Sequence, residues 1–180
     1  MKYYCIGIKG TGMSTLAQIL YDLGNEVSGY DDAKGHKFTQ VGLDERGIKI
    51  FYDHDHEIDK DTIVTYSVAF KQDHPELVRV NELGLTVKKY NEIMGDVVSQ
   101  FETIGVSGTH GKTSTSSMIK HILENTVGCN YFIGAGDGKA TRDNKYYVVE
   151  SDEFNRHFTA YHPAYSIITN IECEHMEIYK

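Results

Sequence analysis

The sequence has few of the features that build disulfide frameworks, membrane spans or nucleic-acid-binding surfaces. Its three cysteines, Cys5, Cys129 and Cys173, form no Cys-x-x-Cys pair, so neither a disulfide framework nor a zinc site is indicated. No apolar run approaches the roughly 20 residues that cross a bilayer. Acidic residues outnumber basic ones by 26 to 18, and the net charge of −8 argues against a nucleic-acid backbone as partner.

The N-terminus also lacks the pattern of a secretory signal. Met1 and Lys2 lead directly into the strand-like run Tyr3 to Ile8, without a charged segment and apolar stretch before a cleavage site. We therefore expect a cytoplasmic protein. With 180 residues, of which 40% are hydrophobic and 24% charged, the chain has room for one α/β domain or two small ones.

The most informative stretch present is a glycine-rich loop between an apolar run and a helical segment. The run Ile104 to Val106 is followed by Gly108-Thr109-His110-Gly111-Lys112-Thr113-Ser114. Such a loop can point backbone N–H groups at a phosphate, with Lys112 on the β- and γ-phosphates and the Thr113 hydroxyl on Mg²⁺. The pattern G-x-x-x-x-G-K-[ST] is incomplete, because Val106 stands where it has glycine. A glycine-rich turn before an ordinary surface lysine therefore remains an alternative.

The first thirty residues predict a βαβ unit with a glycine-rich first turn. Gly7, Gly10 and Gly12 lie between an apolar strand and a helix whose apolar residues recur at helical spacing. Asp31 follows the second strand, as in nucleotide-binding Rossmann-like sheets. The glycine spacing differs from G-x-G-x-x-G, so NAD or FAD binding is a weaker interpretation, and Asp31 could be a turn-forming acid.

Strands and helices continue to alternate along the chain. Further strands are predicted at 48–51, 62–67, 85–87, 130–134, 145–150 and 165–171, helices at 38–46, 75–83, 90–98 and 112–124, and a loop at 134–144. Repeated units of this length predict parallel, helix-covered sheets. We expect an α/β fold: a Rossmann-like domain at 1–98, then the first part of a P-loop-type ATPase domain at 99–180. The histidines of His54-Asp55-His56 are interpreted as a solvated loop rather than a metal site.

Polar clusters follow two of the predicted strands. Glu150-Ser151-Asp152-Glu153 follows the strand at 146–149, and Thr169 to His175 follows an apolar run. Open α/β sheets bind ligands at the carboxyl ends of their strands, and hard oxygen ligands suit Mg²⁺. Glu150 and His175 could therefore both approach a phosphate held at Lys112, although a solvated strand end explains each acid taken alone.

Together these residues resemble the Mur ligases, in the right order over nearly the whole chain. Four places carry the resemblance: Gly7-Ile8-Lys9-Gly10-Thr11-Gly12-Met13-Ser14 with Ser28-Gly29-Tyr30-Asp31; Gly108-Thr109-His110-Gly111-Lys112-Thr113-Ser114-Thr115; Glu150-Ser151-Asp152-Glu153; and Thr169-Asn170-Ile171-Glu172-Cys173-Glu174-His175-Met176.

The resemblance implies an ATP- and Mg²⁺-dependent ligase of peptidoglycan precursor synthesis. Such an enzyme joins L-alanine to UDP-N-acetylmuramate through an acyl phosphate. The implied substrate-binding residues are Gly7, Gly10, Thr11, Gly12, Met13, Ser14, Asp31 and Ser67. ATP would be bound by Gly108, Thr109, His110, Gly111, Lys112, Thr113 and Ser114. The implied metal ligands are Thr113, Glu150 and His175, and the implied catalytic residues are Lys112, Glu150 and His175.

The ligases that this sequence resembles are much longer than 180 residues. We therefore expect an N-terminal fragment that binds the UDP-sugar and turns over little substrate alone. Three other functions remain open. One is the related ligase that attaches a recycled peptide to the same sugar nucleotide, and another is a non-catalytic UDP-sugar-binding module. The third, a Rossmann oxidoreductase, leaves the Lys-Thr loop unexplained. The sequence leaves the oligomeric state open.

Overall fold

The computed structural model describes residues 1–134, 136–151 and 160–172. The chain divides into two compact units, Met1–Ile93 and Met94–Lys180. Each unit contains one five-stranded sheet. The α/β fold class that the strand–helix alternation predicts is confirmed, while the domain bounds 1–98 and 99–180 stay a prediction.

The first unit contains a fully parallel sheet with the strand order β3-β2-β1-β4-β5. Its elements are β1 (Lys2–Ile6), α1 (Thr11–Asp22), β2 (Glu26–Tyr30), a 3₁₀ turn (Phe38–Gln40), α2 (Val41–Glu45), β3 (Lys49–Phe51), β4 (Thr62–Tyr66), α3 (Pro75–Glu82), β5 (Thr86–Lys89) and α4 (Tyr90–Val98), of which α4 runs past the end of the unit. The helix predicted at 38–46 is divided into the 3₁₀ turn and α2. Only Leu43 of that segment is buried. A longer helix would therefore gain little stabilisation from apolar burial.

The second unit contains a mixed sheet with the strand order β10-β6-β9-β7-β8. Its elements are β6 (Glu102–Ser107), α5 (Lys112–Glu124), β7 (Cys129–Ile133), β8 (Asp137–Lys139), β9 (Tyr146–Glu150) and β10 (Tyr165–Ile168). The prediction of a loop at 134–144 is wrong at β8, which pairs antiparallel with β7. Gly134 and Gly136, with φ of 57° and 110°, lie between the two strands, and Asp137-Gly138-Lys139 has no apolar periodicity that would predict a strand.

Each sheet has its own hydrophobic core. The core of the first unit includes Tyr4, Ile6, Tyr30, Val64, Leu77, Val80 and Leu85. The core of the second includes Cys129, Tyr131, Ile133 and Val148, with Ile119 and Leu123 of α5 packed against it. The apolar stripe predicted for α1 is confirmed, because Met13, Leu16, Ala17 and Leu20 are all buried. No helix within the described ranges is long and apolar enough to cross a membrane.

A buried polar network lies beside the core of the first unit. The fully buried carboxylate of Glu76 accepts hydrogen bonds from the Tyr4 hydroxyl (2.7 Å) and Arg79 (2.9 Å), and His54 Nδ1 lies 2.5 Å from its other oxygen. His56 Nε2 lies 2.8 Å from the Tyr4 hydroxyl, and its ring stacks on Phe51 with 3.6 Å between centroids. The interpretation of residues 54–56 as a solvated loop is therefore wrong for His56, because aromatic neighbours far apart in sequence enclose it.

The environment of His56 predicts that the first unit becomes less stable to unfolding at acidic pH. Burial, and then the charge of Arg79, lower the pKa of His56 below 6.5, while Glu76 and Asp53 oppose the change. The unfolded chain therefore binds a proton near pH 6.5 that the folded chain does not bind, so the free energy of unfolding falls as the pH drops below that value. Denaturant unfolding between pH 7.5 and 5.5 should show a smaller loss for His56→Gln than for the wild type. Equal losses in the two proteins would contradict this assignment.

A second prediction concerns the packing of β2 against the first turn. A Cβ on Gly29 would overlap the carbonyl oxygen of Cys5 and lie 2.7 Å from Ile8 Cδ1. We expect Gly29→Ala to lower the free energy of unfolding by about 1–3 kcal/mol, measured by denaturant titration. Gly35→Ala is the matched control, because nothing lies within 4 Å of its Cβ position. A similar loss in both variants would show that packing at Gly29 is not the cause.

Candidate functional site

The glycine-rich loop of the second unit connects β6 to α5 at the carboxyl end of the sheet. Gly108 and Gly111 have φ of 132° and 81°, a region that side-chain-bearing residues rarely adopt. Lys112 folds back over the loop, and its Nζ donates to the carbonyls of Gly108 (2.6 Å) and Thr109 (3.4 Å). The order of strand, loop and helix that the sequence predicts is confirmed here.

The start of α5 is open to an anion. Gly111 occupies the N-cap position and provides no side-chain cap, and the first turn contains no acidic residue. The first backbone N–H groups of a helix lack partners within the helix and lie at its positive end. Thr113 and Ser114 of this turn are exposed. These features are those of a phosphate-binding helix start.

The segment after β10 holds the loop in place. The side chain of Asn170 accepts from the His110 N–H (2.9 Å) and donates to the His110 carbonyl (3.2 Å). Thr169 Oγ1 donates to the same carbonyl (2.6 Å), and the Glu172 N–H donates to Thr109 Oγ1 (3.0 Å). We call Thr169, Asn170 and Glu172 the loop clamp. The sequence indicated a polar cluster here, but not that its side chains bind the backbone of the loop.

The clamp also explains why position 108 holds glycine. A Cβ there would overlap Thr169 Oγ1 and would lie 2.9 Å from the Asn170 carbonyl oxygen. The loop and the clamp are therefore in close backbone contact. The exposed ring of His110 lies 3.8 Å from the Glu172 carboxylate, so this residue is held through its backbone while its side chain faces solvent.

Glu150 ends β9 at the same edge of the sheet. It pairs in register with Val106 of β6, two residues before Gly108. Its Oε1 is buried and has no hydrogen-bond partner among the residues that the structure describes. A buried, unpaired carboxylate oxygen is costly, and a divalent cation that prefers oxygen ligands would satisfy it. Glu150 therefore fits the metal-binding role that the sequence predicts.

Some of the acidic and histidine side chains predicted at the metal site lie outside the described residues. His175 lies outside the described residues, as do Asp152 and Glu153 of the acidic cluster. Within ranges 1–134, 136–151 and 160–172, no group of three or more His, Cys, Asp or Glu side chains is arranged to hold a metal ion. The metal-binding roles of Thr113, Glu150 and His175 remain predictions, as do the catalytic roles of Lys112, Glu150 and His175.

The glycine-rich turn of the first unit has the same design at the start of α1. The N–H groups of Gly7 and Ile8 donate to the Tyr30 carbonyl (2.8 and 3.1 Å), and Gly7 has a φ of 78°. Gly10 occupies the N-cap of α1 without a side-chain cap, and the first turn has no acidic residue. This turn therefore also presents a helix start suited to an anion.

The remaining predicted substrate-binding residues differ in exposure. Met13 and Ser14 are buried, and the Ser14 hydroxyl donates to the Thr11 carbonyl (3.0 Å). The buried Asp31 carboxylate accepts from the backbone N–H groups of Lys9 (2.9 Å) and Ala33 (3.0 Å). Asp31 therefore stabilises the backbone of the turn through these hydrogen bonds.

Ser67 and several aromatic residues lie beside this turn. Ser67 Cβ is 3.0 Å from where a Cβ on Gly7 would stand, and the Ser67 N–H donates to the Ile6 carbonyl (3.0 Å). The Tyr30 ring stacks on His54 at 5.1 Å, and Phe70 contacts the His74 ring at 4.7 Å. Tyr30 ends β2, His54 follows β3, and Phe70 and His74 follow β4, and no local pattern indicated that these rings would meet.

Comparisons with known proteins agree over both units. Residues 2–102 match the Mur ligase family catalytic domain, and residues 106–180 match the Mur ligase middle domain. The UDP-N-acetylmuramate–L-alanine ligase of Lactiplantibacillus plantarum is 45% identical over 99% of this chain and 41% of its own length. That of Lacticaseibacillus paracasei is 45% identical over 98% of this chain and 40% of its own length. The chain thus spans about two fifths of the length of these curated relatives.

Two solved structures have the same fold. A UDP-N-acetylmuramate:L-alanyl-gamma-D-glutamyl-meso-diaminopimelate ligase from Neisseria meningitides is 25% identical, with a TM-score of 0.81 over 99% of this chain and 63% of that one. The UDP-N-acetylmuramate–alanine ligase of Thermotoga maritima is 30% identical, with a TM-score of 0.79 over 99% of this chain and 43% of that one. Because the catalytic-domain match covers more than half of the sequence, this chain belongs to the Mur ligase family.

Proposed function

We propose that this chain provides the UDP-sugar-binding domain and part of the ATP-binding domain of a ligase that joins L-alanine to UDP-N-acetylmuramate. The first domain would comprise residues 1–98 and the second would begin at residue 99. The observation that carries the proposal is the uncapped start of α5, which follows a loop that the loop clamp holds at the carboxyl ends of parallel strands. The likeness to L-alanine ligases over nearly the whole chain supports the choice of substrate.

In the second domain, this chain's residues would bind and orient ATP. The backbone N–H groups at the start of α5 would donate to phosphate oxygens, and the Lys112 ammonium would move from the loop carbonyls to the phosphates. Thr113, Glu150 and His175 would hold Mg²⁺, which supplies positive charge to the transferring phosphoryl group. Water exclusion and alignment of the nucleotide with the substrate carboxylate would be the main tasks of the site.

The proposed chemistry explains why a phosphate-binding loop is needed to make an amide. A carboxylate is a poor electrophile, and transfer of the γ-phosphoryl group of ATP to the sugar's carboxylate would create a good leaving group. The amine of L-alanine would then attack the acyl carbon, and inorganic phosphate would leave. The Lys112 charge favours the oxygens on which negative charge collects during both steps.

In the first unit, the start of α1 would bind the diphosphate of the UDP-sugar. Thr11, Gly12 and Met13 follow the N-cap Gly10, so their N–H groups lie at the positive end of the helix. Asp31 and Ser67 would lie beside the nucleoside and the diphosphate. A cytoplasmic location, where ATP and UDP-sugars are both available, is part of the proposal.

The related ligase that attaches a peptide to the same sugar nucleotide is the second candidate. The structural likeness to the Neisseria meningitides ligase favours it, because that enzyme's name describes this reaction. The sequence-based expectation that these 180 residues alone turn over little substrate stays a prediction.

We expect UDP-N-acetylmuramate to stabilise the chain against heat. A ligand at about 100 times its Kd should add about 2.7 kcal/mol to the free energy of unfolding, because it binds only the folded first unit. Differential scanning fluorimetry with UDP-N-acetylmuramate and with NADH in separate samples tests this expectation. A shift with NADH and none with the UDP-sugar would instead favour an oxidoreductase.

We expect Lys112→Met to weaken the binding of Mg-ATP at least about tenfold, because a hydrogen bond to a charged group contributes about 1.5–3 kcal/mol. Isothermal titration calorimetry of the purified chain provides the measurement. Lys145→Met is the matched control, since Lys145 is exposed and pairs with Glu102 on the surface. If both variants bind Mg-ATP equally well, Lys112 is an ordinary surface lysine beside a glycine-rich turn.

A further inference from the structure

Lys9 is a lysine buried inside the glycine-rich turn of the first unit. It is 1% exposed, and its ammonium donates to the carbonyls of Ala33 and Gly35, both at 2.6 Å. The Tyr52 hydroxyl lies 3.4 Å from Nζ. Within the described part of the chain, no carboxylate lies within ion-pair distance of this ammonium. A buried charge without an ionic partner is costly, so its position calls for an explanation.

All three polar groups of Lys9 bond to one stretch of chain, residues 31–39, here called the strapped segment. The backbone N–H donates to Asp31 Oδ2 (2.9 Å), and the backbone carbonyl accepts from Thr39 Oγ1 (2.7 Å). The ammonium holds the middle of the segment at Ala33 and Gly35. Lys9 therefore joins the glycine-rich turn to the beginning, middle and end of the strapped segment.

The strapped segment has little structure of its own. Residues 34–38 are exposed, and a single 3₁₀ turn begins at Phe38. A segment with few buried contacts moves easily unless hydrogen bonds restrain it. Lys9 makes four of the hydrogen bonds that hold the segment against the turn, while Tyr30 bonds to Asp32 and His36 bonds to Asp44.

We propose that Lys9 is a positioning residue that sets the distance between the turn and the strapped segment, so that one nucleoside diphosphate can contact both. This inference rests on the proposed function, in which the turn binds the diphosphate and Asp31 lies beside the nucleoside. The two halves of the ligand are covalently joined, so the intact ligand binds well only if both contacts are correctly spaced. The Lys9 ammonium acts through the chain and need not touch the ligand.

The fold should tolerate the loss of this charge. Lys9→Met keeps an unbranched side chain of similar length and removes a buried ammonium whose desolvation is itself costly. Ala33 is partly exposed and Gly35 exposed, so water can hydrate their carbonyls in the variant. Binding can therefore be measured on a folded protein.

The test compares ligand binding by calorimetry in the wild type, Lys9→Met and Lys34→Met. Lys34 is an exposed lysine of the same strapped segment, so its variant controls for the loss of one positive charge. We expect Lys9→Met to weaken UDP binding about tenfold, the cost of ordering one freed segment, and Lys34→Met to leave it within about twofold. Inorganic pyrophosphate needs only the turn, so its affinity should change in neither variant. A general loss of structure would weaken both ligands.

Hydrogen exchange provides a readout that does not depend on any ligand. The amides of residues 33–39 should exchange several-fold faster in Lys9→Met than in the wild type or in Lys34→Met, while the amides of β1 and β4 stay unchanged. If Lys9→Met fails to fold, Thr39→Val removes the hydroxyl that bonds to the Lys9 carbonyl, and it should show the same pattern with a smaller loss of UDP affinity.

Each contrary outcome has a distinct meaning. A wild-type chain that does not bind UDP would overturn the proposed function of the first unit, and this inference with it. Wild-type binding of UDP that Lys9→Met leaves unchanged would overturn only the role of Lys9. Equal losses of UDP and pyrophosphate affinity would show that Lys9 maintains the turn or the fold rather than the spacing of the two contacts, which also contradicts the proposal.

Discussion

The parallel pairing of β6 with β9 and β10 is the constraint on which the second unit's site depends. In register, Val106 lies opposite Glu150 and Ser107 lies opposite Ile168, so the three strands end at the same edge of the sheet. The glycine-rich loop, the Glu150 carboxylate and the loop clamp therefore all lie at this edge. A one-residue slip of either pairing would turn the side chains to the opposite face and would separate these groups.

In both units, the helix at whose start an anion would bind has no side-chain N-cap. Gly10 is the N-cap of α1 and Gly111 is the N-cap of α5, and neither glycine can accept a hydrogen bond through a side chain. A serine or aspartate there would typically stabilise its helix by about a few tenths of a kcal/mol relative to glycine. It would also occupy the N–H groups that a phosphate needs. Departures of this kind from the locally most stable sequence are expected at functional sites.

The sequence predicts the features that local patterns determine. Local patterns predict the glycine-rich turns, the buried apolar face of α1 and the order of strand, loop and helix around Lys112. Backbone sterics and helical periodicity act over a few residues, so these features can be predicted from residue spacing. The features that could not be predicted join residues far apart. Thr169 bonds to a carbonyl 59 positions away, and the burial of His56 depends on Phe51, Tyr4 and α3 together. β8 is three residues long and forms by pairing with an edge rather than by any apolar pattern.

The loop clamp fixes the backbone of the glycine-rich loop at His110 without using the His110 side chain. Asn170 bonds to both the N–H and the carbonyl of His110, much as a neighbouring strand would, while the imidazole remains outside. The backbone path at position 110 is thus set by Asn170 bonds to the His110 N–H and carbonyl, while the imidazole has the Glu172 carboxylate 3.8 Å away. A different side chain at position 110 would therefore leave these backbone hydrogen bonds, and with them the direction of the loop's N–H groups, in place.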